Sequence, residues 1–306
     1  MAYRLECAAP IEQQIRNLTV EELTYAASQL RKPPKGDWNE GIHEARKSLK
    51  KARAVLRLVQ SYLGPLYRQE NDSLRLIARE LSEFRDAGAI VESLQSLQKK
   101  YADKLAGPEI EAAHHAILQR KERLESSGRF EEDLPRLAGG IEEAAERGRK
   151  LEIPADGFRA LSAGLKDRFR RGRRAMYRAQ SRPVPENYHE WRKRVKDHWY
   201  HARLLECSWT EMMRAYADQL KVLQEWLGDD HNLTVMRDVL LSELNFDPGD
   251  ATMRQLLPSM IEEQEKLRAR SFSLGRRIYA DKPRILTGRF ESLWNAAHDA
   301  PLEDPV

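Results

Sequence analysis

The residues with the most chemical capacity in this chain lie in two stretches. One is HEARKSLKKARAVLRL, residues 43–58; the other is HEWRKRVKDHWYHARLL, residues 189–205. Both open with His-Glu, continue with Arg-Lys and add a Lys three residues later. On a helical wheel His43, Arg46, Lys47, Lys50 and Arg57 fall within about 100° of one another, with Arg53 at one edge. Ala45, Leu49, Ala52, Leu56 and Val59 occupy the other side. The second stretch arranges His189, Arg192, Lys193, Lys196 and Arg203 in the same way. Each stretch therefore predicts a helix with an apolar face and a narrow basic face. Like charges four residues apart repel, and a polyanion relieves that repulsion. Basic helix faces are often no more than solvated surface. Here the basic positions stay in register while buried neighbours drift, from Ala45 to Trp191, and that favours a binding role.

Other chemistry fits less well. His-Glu suggests a zinc protease, but the second ligand of His-Glu-x-x-His is replaced by Lys47 and Lys193. His198 with His201, and His114 with His115, lack a nearby set of Cys or carboxylate partners, so they read as structural or surface histidines. Asp229-Asp230-His231 hints at a metal phosphohydrolase, yet the first copy carries Glu83-Phe84-Arg85 there. No phosphate-binding loop, dinucleotide loop or nucleophile elbow is present. The sequence thus predicts no cofactor, no metal and no catalytic residue. Trp191, Trp199 and Tyr200 could stack on bases, but such residues are more often core.

Two further elements extend the basic surface. LKDRFRRGRRAMYR, residues 165–178, sets seven Lys and Arg against Asp167, with Leu165, Phe169, Gly172 and Met176 as a core stripe. Arg170, Arg171, Arg174 and Arg178 are secondary binding candidates from it. The corresponding first-half stretch, residues 19–32, is not basic, so the second half should contribute more binding. LSEFRDA (81–87) aligns with LGDDHNL (227–233), which reads as a polar element bracing the basic helices after each copy's third helix. Arg85 and His231 from it are also secondary candidates.

These side chains need elements to hold them. Apolar residues recur at helical spacing almost throughout, and the chain reads as all-α. Breaks are expected at Pro33-Pro34, Gly64-Pro65, Gly107-Pro108, Gly139-Gly140, Pro154, 183–185, Pro248-Gly249 and Pro283. Residues 43–94 align with 189–240 at an offset of 146 without a gap, with 12 identities in 52 positions. The chain is thus read as one domain over 1–300, with repeat 1 at about 9–152, repeat 2 at about 155–298 and a frayed tail at 299–306. Two copies are too few for an open solenoid, and a closed pseudo-twofold pair of bundles is expected. The two basic helices should face one groove, with Leu49 and Leu56, and Val195 and Ala202, each entering a separate bundle. Net charge is only +4, so a polyanion site must come from local clustering. Two cysteines, Cys7 and Cys207, indicate no disulfide framework and a reducing compartment. The N-terminus lacks a signal-peptide apolar run and no stretch is apolar enough to span a membrane, so a soluble cytoplasmic protein is expected.

With its basic stretches, ARELSEFRDA and LQEWLGDDHNL in this order, the chain resembles the CHAD family, the conserved histidine α-helical domain, from about Tyr3 to Ala297. That resemblance implies two pseudo-symmetric four-helix bundles whose basic helices face a central groove or pore and bind inorganic polyphosphate. It implies His43, Arg46, Lys47, Lys50, Arg57, His189, Arg192, Lys193, Lys196 and Arg203 as ligands. Some members carry a triphosphate-tunnel catalytic domain ahead of this one. Here the pattern starts within the first few residues and no Glu-x-Glu-x-Lys motif is present, so a stand-alone, non-catalytic binder is expected, perhaps one that travels to polyphosphate granules. A nucleic-acid binder and, behind it, a polyphosphate phosphohydrolase are the alternatives.

Overall fold

A computed structural model describes residues 3–83, 86–125 and 130–299. Among these residues every regular element is helical. The order is α1 (Ile11–Arg31), α2 (Trp38–Leu58), α3 (Gln60–Glu83), α4 (Asp86–Lys100), α5 (Pro108–Glu125), α6 (Phe130–Gly148), α7 (Gly157–Ser181), α8 (Pro185–Leu204), α9 (Thr210–Ser242), α10 (Ala251–Ile278) and α11 (Pro283–Asp299). Short 3₁₀ turns lie at Pro34–Gly36 and Glu206–Ser208. The protein is all-α, and none of the described helices is long and apolar enough to cross a membrane.

Helix starts follow ordinary capping chemistry. The Asp37 carboxylate accepts from the amides of Asn39 (2.9 Å) and Glu40 (3.2 Å) and starts α2. Pro185, at the first turn of α8, has no amide to leave unpaired. Asp156 Oδ1 accepts from Gly157 N, which starts α7, and from Ile11 N, which starts α1, both at 2.8 Å. One carboxylate therefore ties the first helices of both halves, and these backbone donors, Ile11 first, hold it below its ordinary pKa. α7 starts 146 residues after α1 (Gly157 against Ile11), and α8 ends 146 residues after α2 (Leu204 against Leu58).

Several boundaries differ from the sequence reading. Gly139-Gly140 lies inside α6. Gly64-Pro65 bends α3 without ending it, through a left-handed Gly64 (φ 50°) that a side chain would strain. LGDDHNL lies inside α9, which runs on through 33 residues, so it does not follow a third helix. Asp299 is the last residue of α11, and the tail beyond it is outside the described residues.

The core also departs from the expected division. Leu49, Leu56, Val195 and Ala202 all enter one contiguous core shared by α1, α2, α3, α6, α7, α8, the start of α9, the end of α10 and α11. A second, smaller core joins α4 and α5 from the first half to the end of α9 and α10 from the second. Each core thus mixes both halves. In the larger core the reason is the close seating of α7 on α2: a Cβ on Gly164 would overlap the carbonyl oxygens of Leu58 and Arg57. His201 of α8 adds a 3.0 Å hydrogen bond to the Ala54 carbonyl of α2. The two basic helices are therefore fixed to one another through shared packing.

Cys7 and Cys207 form a disulfide with Cα atoms 5.9 Å apart, contrary to the composition-based expectation. Their sequence separation of 200 left no spacing cue. The pair fastens the N-terminal segment beside the end of α8, where Leu5 N donates to Leu204 O (2.9 Å) and Tyr3 donates to the Lys51 carbonyl (3.0 Å).

Candidate polyanion-binding cavity

α2 and α8 share the walls of a cavity of about 1360 Å³ with α3, α4, α7 and α9. Its lining carries thirteen Lys and Arg side chains against four carboxylates, Asp72, Glu92, Asp167 and Asp197. α2 supplies Arg46, Lys50, Arg53 and Arg57; α8 supplies His189, Arg192, Lys193 and Lys196. Arg171 and His231 line it as well.

Other candidates stand elsewhere. Lys47 is half-exposed and pairs with Glu44 (3.1 Å), and His43 lies 3.8 Å from the same carboxylate. Neither lines the cavity. Arg203 packs over the rings of Trp199 (5.1 Å) and Tyr3 (5.4 Å), outside the cavity. Arg170 pairs with Asp167 and does not line it; Arg174 and Arg178 are exposed on α7. Arg85 lies outside the described residues.

The floor is buried and crowded with charge. Asp197 meets Arg57 and Arg194, each at 3.2 Å. Burial alone would raise its pKa, but Arg57, Arg194 and Arg168 hold it below the ordinary carboxylate range. Asn71 of α3 accepts from Arg53 (3.2 Å) and Arg57 (3.3 Å). Arg46 donates to the Leu81 carbonyl at 3.0 Å, anchoring its head group at α3. Arg53 is brought down to about 10, first by burial and then by Arg57. It stays charged at neutral pH, so the shift reflects electrostatic crowding that an anion would relieve.

The two cavity histidines lie against each other with ring centroids 4.3 Å apart and planes tilted by 43°. His231 is lowered to about 4 by burial, then by His189 and Arg192. His189 is lowered by burial, then by Lys193 and Arg192. Both are therefore neutral at pH 7. By contrast, His198 and His201 are fully buried among helices, and burial lowers them to about 3 and about 4. His198 Nε2 lies 2.8 Å from the Tyr216 hydroxyl.

The LGDDHNL element braces the site from behind. Asp230 pairs with Arg268 of α10 (2.6 Å), and Arg268 lies 4.4 Å from the ring centre of Tyr188 on α8. Asp230 is thereby committed to a structural pair. Among the described residues no three His, Cys, Asp or Glu side chains gather closely enough to hold a metal. Trp191 is wholly buried against Phe272, and Trp199 lies beside Arg203 and Tyr200, so neither offers a stacking platform in the cavity.

Sequence reasoning missed one wall. Arg68, Arg75 and Arg79 of α3, together with Arg168 of α7 and Arg194 of α8, also line the cavity. The spacing of 68, 75 and 79 placed them on one helix face, which was a usable signal. Arg75 and Arg79 have no identical partner in the second copy, so the repeat does not single them out. Arg68 recurs as Arg214, which instead pairs with Glu206 at 2.8 Å, outside the cavity. Arg168, only 4% exposed, donates to Gln60 and lies 3.3 Å from Asp167.

Residues 15–241 match the family model described as the CHAD domain. Among solved structures, the CHAD domain from the plant Ricinus communis superposes with a TM-score of 0.59 at 20% identity, covering 92% of this chain and 95% of that one. PptA from Streptomyces chartreusis superposes with a TM-score of 0.61 at 14% identity, covering 89% of this chain and 100% of that one. At these identities the two share the fold. No curated protein matches this chain.

Proposed function

Since this chain belongs to the CHAD family, we propose that it binds inorganic polyphosphate in the cavity between α2 and α8, without transforming it. The observation that carries this reading is the lining, thirteen cations to four carboxylates. A linear polyphosphate presents the same anionic group at every step, so walls from several helices can grip it at once. Lys and Arg neutralise phosphates and release counterions, and Arg can engage two oxygens. Trp191 and Trp199 do not line the cavity, whose lining tyrosines are the half-buried Tyr67 and the buried Tyr200; this favours polyphosphate over nucleic acid, because single-stranded binders add exposed stacking surfaces along their basic grooves. The commitment of Asp230 to Arg268 favours binding over metal-assisted hydrolysis. A role at cytoplasmic polyphosphate granules follows as part of the same proposal. In a reducing compartment the Cys7–Cys207 pair would rest as thiols.

The test is a competition of long-chain polyphosphate against duplex and single-stranded DNA at about 0.15 M salt, where nonspecific phosphate binding is weakened. Polyphosphate should stay bound. Displacement by DNA at equal phosphate concentration would sink the proposal.

A further inference from the structure

The cavity is not the end of the basic surface. Arg171 lines it and is half-exposed, which places it at the rim. From there α7 continues with Arg174 and Arg178, both exposed, and Arg182 follows just past its end. At helical spacing Asp167, Arg171, Arg174 and Arg178 fall within about 60° of one another on α7. Asp167 and Arg171 belong to the cavity lining, so the other two continue the same side of the helix outward. The track from Arg171 to Arg182 is about 16 Å long at 1.5 Å per residue.

Two observations mark this stripe as more than solvated surface. Asp167 is the last acid before Glu186, so nothing along the stripe offsets its charge in sequence. Among the described residues no carboxylate pairs with Arg174 or Arg178, whereas Asp167 meets Arg168, Arg170 and Arg171 at the rim. The stripe is also not a by-product of the fold. The positions of α1 that correspond to 171, 174 and 178 are Tyr25, Ser28 and Lys32, and Tyr25 is exposed with no charge to offer. The stripe on α7 therefore has no matching stripe on α1.

We infer that the α7 stripe is an exit track for the part of a polyphosphate chain that outgrows the cavity, which makes the protein a length-discriminating binder. This rests on the polyphosphate reading of the cavity. A chain short enough to fit inside gains nothing from Arg174 and Arg178. A longer chain runs over Arg171 and neutralises them, adding contacts that the short one lacks.

The experiment compares tripolyphosphate with a chain several tens of phosphates long, on the wild-type protein, R174Q/R178Q and a control, R214Q/K221Q. The control removes the same charge from α9, outside the cavity and α7. Two lost contacts should flatten the salt slope for the long chain by about 1.4, at about 0.7 per contact for a flexible strand. The wild-type advantage over R174Q/R178Q should then shrink about sevenfold between 0.05 and 0.2 M salt. Tripolyphosphate affinity should be unchanged in both variants, and the control should bind the long chain as the wild type does. Equal losses for short and long chains, no loss for either, or the same loss in the control would each overturn the inference. Failure of the wild type to bind either polyphosphate would overturn the cavity reading itself.

Discussion

Binding should draw protons into the cavity through His231 and His189. Burial, and then His189 and Arg192, bring His231 to about 4, so before binding it carries almost no proton at pH 6. A polyanion beside the ring neutralises the neighbouring cations and adds its own negative charge, which favours the protonated ring against burial and moves it back toward its ordinary value of about 6.5. At pH 6 the free site is about 1% protonated; a bound site restored to about 6.5 is about 75% protonated. Binding at pH 6 should therefore take up about 0.7 proton through His231, with His189 adding to it. The sign follows: the bound state holds more protons, so affinity rises as pH falls. Integrated between pH 7 and 5.5, His231 alone should strengthen binding about eightfold. The window lies below neutrality because both free-state values are depressed. Titration calorimetry in buffers of different ionisation enthalpy reads the uptake directly. H189Q/H231Q should lose it and flatten the pH profile. Absence of uptake at pH 6 in the wild type, or full uptake in the double variant, would refute the reasoning.

Lys193 lines the cavity and Lys47 does not, so K193Q should weaken polyphosphate binding several-fold while K47Q stays near the wild type in the same equilibrium titration. G164A should force α7 off the end of α2, costing about 3 kcal/mol or more by chemical denaturation. His198 and His201 are neutral in the fold, at about 3 and about 4. Below the unfolded value of about 6.5 the unfolded chain gains protons that the folded one refuses, so each should cost about 2 kcal/mol between pH 7 and 5, read from denaturation midpoints.

Much of the site could be read from the chain because α2 and α8 obey the helical period, and period alone places Arg46, Lys50, Arg192 and Lys196 on one face each. What period cannot reveal is which part of a face another helix covers. Lys47 and Lys193 form the same Glu-x-x-Lys pair in both copies, yet only Lys193 meets the cavity. Arg203 repeats Arg57, but Trp199 and Tyr3 hold it aside while Arg57 meets Asp197, whose counterpart in the first copy is Lys51. The repeat hid the α3 wall for the same reason: Arg75 and Arg79 correspond to Lys221 and Glu225, so no echo marked them. In the larger core the two halves meet at Gly164, a single residue with no pattern around it, and in the smaller one α4 and α5 pack on α9 and α10, a pairing that no helical period announces.

The central claim is that cavity charge, summed over both basic helices, holds polyphosphate. It is tested most directly by the salt dependence of long-chain polyphosphate affinity for the wild type and for K50Q/R192Q/K193Q/K196Q, all four of which line the cavity. At about 0.7 per contact, the slope of log K against log salt should become shallower by about 2.8, with weak residual binding. An unchanged slope and affinity in the quadruple variant would mean that polyphosphate is held elsewhere.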